Sequence, residues 1–387
     1  MKICFFGAFD ENRNVNRVFL DGLKKIKNIE SITVNISTPN LVRDFLTNQK
    51  HIFTLSFFRN FINRNINLIK KYFKSNYYDI DHIYIGYPGH ESIYFAYFLR
   101  ILSWKLFNRK IPIIFNPYTS LIDSVTMDYR KLKKKSFLAK FYYLIEWIAF
   151  HLSDLIISQS NMEKYRFCEL FHLNPKKIFR IFLGVNEVLF YPQKYEGFKD
   201  KFVIGFNGNC IPLHGIEYII KSAKRIEQYT QGIIFEIVGG TKSEIFEKKK
   251  IVKKLGISNI SFFPQIPINL IPQTIARSDI QLGVFGSTLK ARRVIPNKVY
   301  TALAMKRPII TANTKAISEL LTHQKNCYLC KIADPDSLAN AIITLYENEK
   351  LRNEIALNGY ELFQKKLNSA KLSKKLIDMI KNYKNLK

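Results

Sequence analysis

Residues 201–240, KFVIGFNGNCIPLHGIEYIIKSAKRIEQYTQGIIFEIVGG, decide the fold. They open on a short apolar run, Phe202–Phe206, that ends at the glycine-bearing loop Asn207-Gly208-Asn209. Pro212-Leu213-His214-Gly215 follows, then an amphipathic stretch over 215–229. A second apolar run, Ile233–Val238, then closes on Gly239-Gly240-Thr241. Strand, glycine loop, helix and strand in that order make the repeating unit of a parallel α/β sheet. Glycine at a strand end lets a ligand approach the backbone, and the free N–H groups of the next helix start suit a phosphate.

The alternation continues in both directions. Downstream, the runs Ile260–Phe263, Ile280–Val284 and Ile309–Thr311 are spaced by helix-length segments at 243–255, 297–305 and 336–347. Upstream, Ile3–Phe6, Ser31–Ile36, His82–Ile85, Ile111–Phe115 and Leu155–Ser158 form a first series, with helices expected at 14–27 and 91–107. The polar stretch Tyr191–Gly197 between the series reads as a linker. The expected organisation is an N-terminal Rossmann-like domain over 1–192, a linker at 193–200 and a second such domain over 201–369. A basic helix over 370–387 is expected to pack back on the first domain. Ligands of such sheets lie at the carboxyl ends of the strands, so a cleft between the two domains is the expected site.

Composition sets outer limits. A chain of 387 residues suits two domains, and a hydrophobic share of 47% excludes a disordered basic protein. The apolar run after Met1-Lys2 is too short for a signal peptide. The most apolar segments, 93–107 and 141–158, are interrupted by Arg100 and Lys105 and by Glu146 and Asp154, which argues against a spanning helix. Five irregularly spaced cysteines suit a reducing compartment, and a cytoplasmic location is expected. Cys327 and Cys330, three apart on an expected strand, read as packed thiols rather than metal ligands.

The net charge of +29 favours anionic partners. It splits into +14 over residues 1–195 and +15 over the rest, so it locates no site. Residues 130–140 hold six basic side chains and no acid, and run into the aromatic stretch Phe141–Ile148. Residues 57–78 repeat the theme. Segment 130–148 suits a helix lying on an anionic membrane, and equally a surface helix packed on its own sheet. With no recognition helix or zinc signature, nucleic acid is not an expected partner.

The richest loop is Gly283–Lys298, where Lys290, Arg292 and Arg293 precede a helix expected to start at Asn297, a candidate N-cap behind Pro296, with Lys298 flanking that start. Such a helix start suits a diphosphate. Together with "FEIVGG", "NISFFPQI", "SDIQLGVFGS" and "PNKVYTALAMKRPIITANTKAISELL", this loop resembles family-4-type glycosyltransferases of the GT-B fold. In the first domain "LSDLIISQS", "IFRIFLGVNEVLFYP", "GAFDENRNVNRVFLDGLKK" and "IGYPGHES" are similar to the same family, so the resemblance covers nearly the whole chain.

The resemblance implies a retaining hexosyl transfer from a nucleotide-sugar to a glycan or lipid-linked acceptor, as in capsule, lipopolysaccharide or exopolysaccharide synthesis, on the cytoplasmic membrane face. It implies no cofactor and no metal. Lys298 and Arg293 are the expected catalytic cations, with His90 a further candidate. Donor contacts are expected from Gly208, Asn209, His214, Gly215, Gly239, Arg292, Asn297 and Thr301, and acceptor contacts from Gly7, Arg17, Tyr87 and Asp123. Several positions depart from the family pattern. Asn209 and His214 stand where relatives carry Arg and Lys, and Arg293 and Thr301 replace a pair of glutamates. The alternatives are a non-catalytic binding or assembly subunit of the same fold, or a nucleotide-sugar epimerase.

Overall fold

The apolar runs form two six-stranded, wholly parallel sheets among the described residues, each in its own compact unit. The computed structural model describes residues 1–36, 55–74, 79–128, 132–133, 135–194 and 200–385. The units are Met1–Gly184 with Ser369–Lys387, and Val185–Asn368.

In the first unit, strands β1 (Lys2–Gly7), β2 (Glu30–Asn35), β3 (His82–Ile85), β4 (Ile113–Phe115), β5 (Leu155–Ser158) and β6 (Ile178–Arg180) lie in the order β2-β1-β3-β4-β5-β6. Helices α1 (Asn14–Leu23), α2 (Leu55–Lys74), α3 (Ser92–Phe107), α4 (Phe137–Leu152) and α5 (Asn161–Phe171) complete its layers. Strand β4 starts two residues later than the apolar pattern suggests. Pro112 has no N–H to give a ladder and serves only through its carbonyl, which accepts from Ile83 N at 3.0 Å.

The second unit holds β7 (Phe202–Asn207), β8 (Ile233–Val238), β9 (Ile260–Phe263), β10 (Ile280–Leu282), β11 (Ile309–Ala312) and β12 (Tyr328–Cys330), ordered β12-β11-β10-β7-β8-β9. Its helices are α6 (Ile216–Tyr229), α7 (Lys242–Lys254), α8 (Ile271–Ala276), α9 (Asn297–Ala304), α10 (Pro335–Glu347) and α11 (Glu349–Lys366). Helix α6 shows how sequence becomes packing. Ile216, Ile219, Ile220, Ala223 and Ile226 recur at helical spacing and are all buried in the core formed with β7 and β8. This strand order reverses between β7 and β10, which makes their carboxyl ends the topological switch point where doubly wound sheets bind ligands.

The division between units falls at Gly184/Val185, not after residue 192. Val185–Lys194 belongs with the second unit, where Arg307 donates to the Gln193 carbonyl at 3.3 Å. Residues 195–199 of the expected linker lie outside the described residues. The last helix, α12 (Ser369–Asn385), packs on α1 within the first unit. The approach is so close that a Cβ on Gly22 of α1 would lie 2.1 Å from the Ser369 carbonyl oxygen. Lys25 adds a hydrogen bond to the Ser369 hydroxyl at 3.0 Å.

Candidate active site

The site is built where β7 and β10 end. Beyond β7 the chain turns at Gly208, whose φ of +156° leaves room only for hydrogen on the inner side. A Cβ there would lie 2.8 Å from Lys298 Nζ and 3.0 Å from His214 Cε1, so glycine, imidazole and ammonium converge on one point. The loop after β10 is stitched to the same turn. Phe285 N donates to the His214 carbonyl at 3.1 Å and Gly286 N to the Leu213 carbonyl at 3.2 Å. Gly215 begins α6 at φ +68°, and Gly239 sits against the Gly208 carbonyl.

Lys298 reaches this point from the first turn of α9. Its Nζ lies 3.6 Å from the Phe206 ring centroid, is buried, and has no hydrogen-bond partner in the protein. Burial holds its pKa well below the usual lysine value. The ring face of Phe206 offsets part of that cost through a cation–π contact. His214 donates from Nδ1 to the Asn209 carbonyl if that nitrogen carries the proton, and its ring stands edge-on to Phe206 at 5.5 Å. Burial first, and the neighbouring Lys298 charge second, push its pKa well below the ordinary histidine value, while the Asn209 carbonyl acts the other way. In the absence of an anion His214 is therefore neutral at pH 7.

The remaining donor candidates divide by exposure. Arg293 is buried, while its neighbour Arg292 faces solvent. Asn297 does not serve as N-cap, because α9 begins at that residue and Pro296 takes the cap position without a side-chain bond. The Thr301 hydroxyl donates to the Lys298 carbonyl at 3.0 Å, one turn back along the helix.

In the first unit, most expected acceptor residues already have partners. Asp123 is 2% exposed and receives Arg166 Nη2 at 2.9 Å and Nε at 3.1 Å. Arg17 pairs with Asp21 at 2.7 Å along α1. Gly7 faces Ser92, whose Oγ would lie 2.8 Å from an added Cβ, so its missing side chain makes room for the start of α3. Tyr87 is buried against Tyr118, with ring centroids 4.9 Å apart, and its N–H donates to Asn16 Oδ1 at 2.9 Å. His90 is only 4% exposed. It sits between the Phe115 ring and Glu146 Oε1, 3.4 Å from its Nε2, and Glu146 already accepts from Ser120 Oγ, Leu121 N and Ile122 N. These residues are expected at a strand end, in loops or at helix starts; in the structure Asp123 and Arg17 stand in ion pairs, Gly7 packs on Ser92 and His90 on Phe115.

Residues 189–362 match the family model described as glycosyl transferases group 1. That match covers a little under half of the chain. An uncharacterized glycosyltransferase of Methanocaldococcus jannaschii, MJ1069, is 24% identical over 243 residues, which is 61% of this chain and 61% of that protein's length. Among solved structures, Anabaena Alr3699/HepE in complex with UDP superposes with a TM-score of 0.68 at 15% identity, covering 99% of this chain and 100% of that one. Sucrose-phosphate synthase from Thermosynechococcus elongatus gives 0.71 at 13% identity, with both chains fully covered. Those likenesses establish the GT-B fold for the whole chain.

The second unit also holds site residues that sequence reasoning passed over. Phe206 supplies the aromatic floor beneath Lys298, yet in the sequence it is one of many apolar strand residues. Cys210 lies 3.1 Å from the Cβ position of Gly240, its thiol pushed up to about 11 chiefly by burial. A thiol so raised is a poor nucleophile at neutral pH. Cys327 and Cys330 are both buried and free, their thiols pushed up to about 12 by burial. Among the described residues no group of three or more His, Cys, Asp or Glu side chains is placed to hold a metal ion.

Proposed function

We propose that the chain transfers a hexosyl group from a nucleotide-sugar to a saccharide or lipid-linked acceptor, with retention at the anomeric carbon, in cytoplasmic synthesis of a cell-surface glycan. One observation carries the reading: a buried ammonium, Lys298 Nζ, aimed at a glycine turn with no hydrogen-bond partner. An unpaired buried cation is costly, and a diphosphate oxygen in that turn would satisfy it. The Gly208 backbone, His214 and the uncapped first turn of α9 would surround the same anion.

In this reading the acceptor oxygen bonds to the anomeric carbon from the face that the diphosphate leaves. A departing phosphate oxygen takes the hydroxyl proton. The protein's part is to stabilise the charge growing on that diphosphate, with Lys298 and Arg293 rather than a metal as the cations. Titration calorimetry against UDP- and GDP-sugars, with Lys298→Ala as the comparison, tests the reading. Absence of binding at millimolar donor overturns it.

Thr301 favours a second reading, a binding or assembly subunit without turnover. Its hydroxyl is engaged by its own helix and no carboxylate stands in its place to receive the donor ribose. Saturable donor binding without hydrolysis or transfer across an acceptor panel would select that reading.

A further inference from the structure

Apart from Arg100, paired with Asp154, and the exposed Lys105, helix α3 is largely apolar on its outer as well as its inner face, a pattern that in a water-soluble fold belongs to a helix buried on every side. It is buried on one side only. Ile93, Ala96, Leu99 and Ser103 face the core, while Phe98 is 50%, Trp104 57% and Leu106 63% exposed, with Ile101 between them on the outer stripe. Helix α4 lies beside it, joined by Tyr94 Oη donating to the Ile145 carbonyl at 2.7 Å, and turns Phe137, Lys140 and Leu144 outward. Helix α2 flanks α3 on another side through the Phe61–Phe95 ring contact and exposes Ile62 and Ile66.

Charge on these helices has one sign. Across α2, α3 and α4 the only acidic residue is Glu146, which is 0% exposed. The outward cations include Arg59, Lys70, Lys105 and Lys140, with Lys110 just past α3 and Lys133 and Lys135 just before α4. We infer that this face, centred on Trp104, docks on an anionic phospholipid bilayer, its aromatic and aliphatic stripe entering the headgroup boundary while the lysines meet lipid phosphates. Of the expected membrane segment, 130–148, the described helix from Phe137 onward forms one edge of the surface. Its helix starts only at Phe137 behind the Ser136 cap, and Arg130, Lys131 and Lys134 lie outside the described residues. Among the described residues no helix is long and apolar enough to cross a membrane, so the mode is lying on the surface. A second copy of the chain fits the face poorly, because like charge would meet like.

The inference does not depend on glycosyl transfer, and its test reads binding alone. Trp147→Phe leaves Trp104 as the sole tryptophan of the 387-residue chain. With phosphatidylglycerol-containing vesicles we expect flotation and a blue shift of Trp104 emission. Pure phosphatidylcholine, or high salt, should give neither. Trp104→Ser with Leu106→Ser should weaken partitioning at least about tenfold. Lys105→Glu with Lys110→Glu, a pair of solvated lysines whose exchange leaves packing intact, should weaken it at least about twentyfold. Circular-dichroism melts confirm that each variant folds. Flotation indifferent to both variants overturns the inference, as does its absence with anionic vesicles. So does an RNA duplex that displaces the vesicles, or a dimer that the same variants dissolve.

Discussion

Lys298→Met is the perturbation that most directly tests the site, because it moves donor affinity and protein stability in opposite directions. Methionine keeps the length and apolar stem of lysine above the Phe206 ring and removes the ammonium. A hydrogen bond from a charged donor contributes about 1.5–3 kcal/mol, and tenfold in affinity corresponds to about 1.4 kcal/mol. Donor binding should therefore weaken by about ten- to a hundredfold in titration calorimetry. Stability should move the other way. The folded-state pKa of Lys298 lies below its unfolded value near 10.5, so the unfolded chain binds more protons over that interval and wild-type stability rises with pH through it. Below 10.5 the wild type carries some of this penalty, in full only under the folded-state pKa, and the variant carries none of it. Thermal melts should show Lys298→Met more stable than wild type at neutral pH, the gap closing as pH approaches 10.5. Unchanged donor affinity, or a variant less stable than wild type at pH 7, would refute the claim that this ammonium waits unpaired for an anion.

Three further outcomes follow from named contacts. Gly208→Ala places a methyl against Lys298 Nζ and His214 at a positive φ. It should cost about 1–3 kcal/mol in denaturant unfolding and abolish measurable donor binding. Donor binding should take up protons near neutral pH, since an anion raises the depressed pKa values of His214 and Lys298. The observed enthalpy should then vary with buffer ionisation heat, and affinity should fall as pH rises; an enthalpy independent of buffer contradicts this. Asp123→Ala leaves the Arg166 guanidinium without its buried carboxylate. It should lower stability by about 3 kcal/mol, while Asp123→Ala combined with Arg166→Met recovers much of the loss.

The sequence carried the sheets further than the site. Long apolar runs closed by glycine, such as Ile233–Val238 before Gly239, announce buried parallel strands because both faces of such a strand are covered. The edge strands β6 and β12 were not legible as ladder partners: three residues each give too short a run to stand apart from loop sequence. Lys298, His214 and Gly208 were readable as a group because three strand-end loops converge at the switch point. The internal partners of the acceptor-side candidates were not, because a charged side chain in a loop looks the same whether it awaits a ligand or already holds a neighbour. Asp123 and Arg166 are 43 residues apart, and no local pattern links them.

The large positive charge enters these two proposals by different physics, and salt separates them. Lys298 is a single buried ammonium, and the attraction it offers a diphosphate acts at contact distance beside the glycine turn. Screening at 0.15 M, with a Debye length of about 8 Å, reaches such a pair poorly. The lysines beside Trp104 stand in solvent, and their pull on a lipid surface passes through the ionic atmosphere. Raising salt from 0.05 to 0.5 M should therefore strip the protein from anionic vesicles while changing donor affinity severalfold at most. Equal salt slopes for the two events would mean that the donor meets solvated surface cations such as Arg292, and that Lys298 is not its principal contact.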